Sequence, residues 1–437
     1  MMKETQPSTP VRLGPCGRVF ATALLATALT GAYAAGPPGD MPTPGRDVTA
    51  PPGGVTPSAA RIYITTPGSS PNNIPDGTPA FAKVLDGTTY AVKKSVPLEE
   101  RPHHFYKVPL QNKAYIAHFV GTSVVEVMDL KTNAIVKKIP VTEGPRHINF
   151  SDDYSVAYTA NFDSNAVSAI DTATDTVLWT SSTGENPNYP TPFGDYVAAA
   201  NYGGSSLTIL DAATGALVTE IPVGDGPFDS KSSCDGGTLI SANARSHDVS
   251  FINAETLVEE DRVSYMGPEA TSTYDPSVTA RANLRVAPDC RYLWVGFQEA
   301  GTFSVLDIET RELVSEVRTS GSGGGSDIIF FAHQGPAQGL AFATNRYSSH
   351  TTVVDPTPPF NVIKQIPAAL GTHFVTFNED WTKGYVSSRI AGEFSVYDMA
   401  TLTEETRVPG FPLLDTANYV WNSRSNYYYW TEEGERR

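Results

Sequence analysis

The stretch TILDAATGALVTEIPV, residues 208 to 223, decides the fold. An apolar–x–apolar–Asp run leads into Ala-Ala-Thr, and an alternating, strand-like segment follows. Asp and Thr at this spacing are turn chemistry: the carboxylate accepts bonds from nearby backbone amides and folds one strand back on the next. The same unit recurs as KVLDGTTYAVKKSVP, EVMDLKTNAIVKKIPV, SAIDTATDTVLWTS, SFINAETLVEEDRV, SVLDIETRELVSEV, TVVDPTPPFNVIKQIP and SVYDMATLTEETRV. Its anchors are Asp86, Asp129, Asp171, Asp211, Asn253, Asp307, Asp355 and Asp398, about forty to the mid-fifties of residues apart. That is the period of a four-stranded propeller blade.

Between anchors each unit supplies a strand starting near Gly-Pro, a short turn such as SDDY or PDC, and a second strand such as TLISAN. Eight units predict an all-β, eight-bladed β-propeller. The closing blade is expected to be shared, with two strands from the C-terminal TANYVWNSRSNYYYW and the others from ARIYITT and AFAKVLDGTTYAV. Such sharing leaves no open sheet edge. A seven-bladed ring with RIYITT outside it is the alternative.

Residues 1–34 read as a signal peptide: Arg12 and Arg18 precede a short apolar run ending in Ala32-Tyr33-Ala34. A Pro/Gly-rich linker occupies 35–60 and the propeller 61–437. The expected location is the periplasm or outside the cell, with no membrane span once the leader is removed. A formal charge of −16 offers no basic patch for nucleic acid. Cys234 and Cys290 remain after processing. Export permits a disulfide, but both occupy the same kind of hairpin turn in successive repeats, a spacing that works against the bridge.

In a propeller the start of each innermost strand faces the central funnel. Aligning the units there gives His104, His147, Tyr189, Asp229, Asn283, Asp327, His373 and Asn418. Three histidines and two carboxylates thus share one equivalent position. Imidazoles at His104, His147 and His373 suit a metal or a haem iron. Polar residues also line hydrated channels without any cofactor. No G-x-S-x-G, P-loop or H-E-x-x-H occurs.

Two resemblances follow. AYTANFDSNAVSAID and LISANARSHDVSFIN resemble the YVTN family of exported propellers. Within that group, HHFYKVPLQNKAYIAHFVGTSVVEVMDL, EGPRHI, ARANL, GSGGGSDIIFFAHQ and ANYVWNSRSNYYYW are similar to the haem d1 propeller of dissimilatory nitrite reductase and to exported relatives in haem d1 biosynthesis. The resemblance implies His104 as proximal iron ligand with His103 as fallback. It implies Arg146 and Arg281 as partners of the macrocycle carboxylates, with His147 and Asn283 lining the site. The reductase's distal histidines have no match here; Asp229 and Asp275 stand in those segments as acid–base candidates.

Three readings stay open at this point. The first is an exported propeller that binds, and handles or modifies, a haem d1-like tetrapyrrole or a His-ligated metal centre. The second is a YVTN-type binding or surface protein with no cofactor. The third is a copper oxidoreductase using His104, His147 and His373. The expected partners are the tetrapyrrole or another small ligand, and a periplasmic protein.

Overall fold

The computed structural model describes residues 60–66, 79–118 and 121–411, and the backbone of Ala417–Val420. The leader and linker expectations fall outside these residues. Eight four-stranded antiparallel sheets form the blades, and a single short helix, Pro268–Thr273, accompanies them among the described residues. Seven blades are continuous in sequence: blade 2 begins at Pro102, blade 3 at Pro145, blade 4 at Pro187, blade 5 at Pro227, blade 6 at Ala282, blade 7 at Ser326 and blade 8 at Thr372.

Blade 1 closes the ring. Arg61–Thr66, Phe81–Asp86 and Val92–Pro97 are its outer three strands, and Ala417–Val420 is the innermost, with Tyr63 opposite Asn418. Among the described residues the shared blade is therefore built three to one, and the second strand expected from the C-terminal segment falls outside them. Arg61–Thr66 already occupies the position next to the innermost strand, which rules out the seven-bladed ring. Tyr63 seals the junction with blade 2: its ring stacks on Phe105 at 5.0 Å and its hydroxyl donates to Asn133 Oδ1 at 2.6 Å.

Every anchor acts as its chemistry predicts. Asp129 Oδ1, for example, accepts from the amides of Lys131 and Thr132 at 2.9 and 2.7 Å, and Asn253 Oδ1 does the same for Glu255 and Thr256. One or two residues before each anchor the third and fourth strands slip register by a bulge, repeated in all eight blades. Innermost strands are buried along their length, whereas outermost strands such as Thr403–Pro409 alternate and carry charge. Charged outer strands keep the blade edges from pairing with other chains.

The apolar core lies between blades. Tyr106, Tyr115 and Val127 of blade 2 pack on Ile148, Phe150 and Ala157 of blade 3, and similar clusters join the other neighbours. Cys234 and Cys290 form a disulfide, their Cα atoms 5.7 Å apart. This corrects the sequence argument against the bridge. The two turns follow innermost strands, and equivalent innermost strands crowd together near the axis, so corresponding hairpins of successive blades meet there.

Candidate functional site

Bulges at the strand starts build the site. In six blades the innermost strand slips register within its first few residues. A bulge sets two consecutive residues against one partner and breaks the in–out alternation. In blade 2, Pro102 pairs with His118 and Phe105 with Ile116, so His103 and His104 share one opposing residue. Both imidazoles are buried side by side, ring centroids 4.0 Å apart. In blade 3 the extra residue is Arg146, and His147 follows it.

His103, His104 and His147 converge, each offering a nitrogen within 4.8 Å of the others. Burial first, then the neighbouring imidazoles and Arg146, hold His103 well below the ordinary histidine value. Burial, His104 and Arg146 do the same to His147. Neutral imidazole is the ligating form. Nδ1 of His103 lies 3.3 Å from the Arg146 carbonyl, and Nδ1 of His147 lies 3.2 Å from the Tyr106 hydroxyl. Such second contacts fix the ring that a metal would meet. Tyr189 of blade 4 stacks flat on His147 at 3.8 Å.

His373 stands apart from this trio. Its ring centroid is 6.3 Å from that of His104, and its Nδ1 lies 2.5 Å from Asp327 Oδ2. Asp327 is a buried hub. It also accepts from Gln298 Nε2 at 2.8 Å and Asn283 Nδ2 at 3.2 Å, and Arg346 lies 3.2 Å away. Burial alone would raise its pKa, but His373, Arg346 and Gln298 outweigh that and hold it below the usual carboxylate range. The grouping therefore differs from the sequence alignment: His103 takes the third place beside His104 and His147, and His373 is bound to a carboxylate.

Cations crowd the same space. Burial, then the charge of Arg281, brings Arg146 down to about 9. Burial, then Arg346 and Arg389, brings Arg281 to about 10. Both remain charged at neutral pH. Arg146 rests over Phe162 at 4.8 Å, and Lys231 over Tyr189 at 5.4 Å. In a chain of net charge −16, this concentrates positive charge beside the imidazole trio, which draws anions.

The remaining expected residues separate. Asp229 is buried on its innermost strand, 3.2 Å from Lys231 and 3.8 Å from Arg285, and accepts from the Leu284 amide at 2.9 Å. Asp275 sits in a surface turn, bonded to the amide and hydroxyl of Ser277 at 2.9 and 2.7 Å. No contact joins the two among the described interactions. His118 pairs with Glu126 inside blade 2, His247 with Glu299, and His350 with the Thr319 carbonyl. Side chains at Asn418 lie outside the description. Arg346, Arg389 and Gln298 escaped the strand alignment because they project from the loops joining second and third strands.

No protein-family model matches the chain. No curated protein matches its sequence. Among solved structures it is similar to the dihydro-haem d1 dehydrogenase NirN in complex with DHE, with a TM-score of 0.62 and 15% identity over 84% of this chain and 76% of that one. It is also similar to Kuenenia stuttgartiensis hydrazine synthase, at TM-score 0.51 and 17% identity over 68% and 96%. A chain of a mitotic checkpoint complex follows at TM-score 0.51 and 12% identity over 67% and 88%. At these identities the likeness is one of propeller fold.

Proposed function

We propose that the funnel is a cofactor site for a haem d1-like tetrapyrrole. His104 ligates its metal, with His103 as the fallback, and Arg146 and Arg281 hold its carboxylates. The observation that carries this reading is the convergence of three buried imidazoles beside the buried guanidinium of Arg146 and the half-buried one of Arg281, which repel one another. A planar polyanion satisfies both halves: the metal needs an uncharged nitrogen donor, and the carboxylates relieve the crowded cations through charge-assisted bonds. His147 and Tyr189, stacked on each other, offer an aromatic wall. When bound, the group supplies redox chemistry, and the chain's residues bind, orient and desolvate it.

Asn283 acts through Asp327, which it bonds at 3.2 Å. Of the two acid–base candidates, Asp229 lies on an innermost strand beside Lys231, which favours it over Asp275 for moving a ligand proton. We further propose that residues 1–34 direct export and that the propeller works in the periplasm or outside the cell. The Cys234–Cys290 disulfide fits an oxidising compartment.

A second reading has its own observation. Three nitrogens within 4.8 Å could hold bare copper on His103, His104 and His147. Arg146 and Arg281 weigh against it, since positive charge close to His147 opposes a naked dication. Visible spectroscopy and metal analysis of the purified protein, before and after adding haem, separate these. A haem band that shifts in His104→Ala to that of a chromophore lacking its imidazole supports the tetrapyrrole, and stoichiometric copper without a porphyrin band supports the second reading. A colourless, metal-free protein indifferent to haem would overturn both in favour of a cofactor-free YVTN-type binding protein.

A further inference from the structure

The connection between blades 5 and 6, residues 265 to 281, is far longer than its equivalents, such as residues 183 to 186 between blades 3 and 4. Its first half is tied to blade 6: Glu316 accepts from the amides of Glu269 and Ala270 at 3.0 and 2.8 Å. Its second half, from Tyr274 to Arg281, ends at the guanidinium assigned above to a ligand carboxylate. Glu299 holds that half in place. It is buried at 1% exposure in the loop between the second and third strands of blade 6.

Glu299 works from three atoms. Its carbonyl accepts from the Asp275 amide at 2.6 Å. Its Oε2 accepts from the Arg281 amide at 3.4 Å. Its Oε1 lies 3.3 Å from Nε2 of His247 in blade 5, whose ring packs edge-on against Tyr274 at 5.4 Å. Neighbours complete the clamp. The Gln298 amide donates to the Arg281 carbonyl at 3.1 Å, and the Tyr202 hydroxyl donates to the Ala280 carbonyl at 2.9 Å. A guanidinium reaches its target only if its own backbone is fixed, because a long side chain otherwise surrenders the gain to conformational entropy.

We infer that Glu299 is a positioning residue for ligand selection: it clamps the strap 274–281 so that Arg281 meets an anionic group of the funnel ligand. This rests on the funnel-ligand reading for its ligand, though not for the clamp. Iron ligation and carboxylate selection are then separate functions. His104 reads the metal, and the strap reads the charge at the ligand's edge.

The experiment uses the full chain and two probes, haemin and its dimethyl ester, with hydrogen exchange of residues 274–281 followed in the ligand-free protein. Wild type should prefer the diacid by about tenfold or more. Glu299→Ala should remove most of that preference and speed exchange in the strap by about tenfold, while the haem band retains its His104-dependent character. Glu299→Gln, which can still accept from the Arg281 amide, should restore both properties. Unchanged exchange and unchanged preference in Glu299→Ala would overturn the inference. If that variant does not fold, Tyr202→Phe, which loses the hydroxyl's bond to the Ala280 carbonyl, should show the same loss in milder form, and wild-type behaviour would overturn the inference. If wild type binds neither probe, the funnel reading fails; the clamp then stands on faster exchange in Glu299→Ala and falls if exchange is unchanged.

Discussion

His373 Nδ1 and Asp327 Oδ2 lie 2.5 Å apart across the boundary between blades 8 and 7. The carboxylate is buried, and its folded pKa is held below the unfolded value near 3.9 by His373 and Arg346. A depressed carboxylate contributes stability that is present above the unfolded pKa and is lost as pH falls through the folded one. Wild type should therefore lose urea resistance progressively below about pH 4. Asp327→Asn should be less stable at pH 7 and should show a shallower acid limb. An acid limb as steep as wild type's would contradict this.

Two members of the imidazole trio act in a higher pH window. His103 and His147 are held below the ordinary histidine value by burial, so the unfolded chain takes up protons first. Stability should fall as pH drops below about 6.5. A His103→Gln, His147→Gln double variant should flatten the pH dependence between about pH 7 and 5. The check is the chemical-denaturation midpoint at several pH values.

Arg281 is expected to matter for ligand and not for the empty fold. Arg281→Ala removes one member of a mutually repelling set that includes Arg346 and Arg389. Haem affinity should fall about tenfold, the scale of a charge-assisted contact. The melting temperature of the ligand-free protein should not fall by more than about 2 °C. A large drop in melting temperature with unchanged affinity would make Arg281 a structural residue.

The disulfide should hold blades 5 and 6 together. Cys234 and Cys290 should resist alkylation until reduced, and Cys234→Ser should lower stability by about 2–4 kcal/mol, measured by denaturant titration.

What could be read from sequence follows the range of the interactions. Asp86 through Asp398 announce the blades because an Asx turn is made by residues two or three apart. The innermost-strand register was also legible: His104, His147 and Asp229 lie on innermost strands that a proline opens, and Asp327 follows the Gly-rich start of its own. The bulge was not legible. It adds a residue at His103 through pairing with another strand, and so moved the third imidazole from His373 to His103. Arg346 and Glu299 sit in loops whose approach to the axis depends on packing between blades. The Cys234–Cys290 bridge was hidden for the same reason, since 56 residues separate the cysteines along the chain.

The most direct test of the central claim is the visible absorption spectrum of the purified full-length protein titrated with haem, beside His104→Ala and Arg146→Ala. The account expects a saturable, stoichiometric haem band in wild type. In His104→Ala the band should shift to that of a chromophore lacking its imidazole ligand. In Arg146→Ala the band should keep its position while affinity falls about tenfold. A wild-type spectrum that is the sum of free haem and colourless protein, with no dependence on His104, would contradict it.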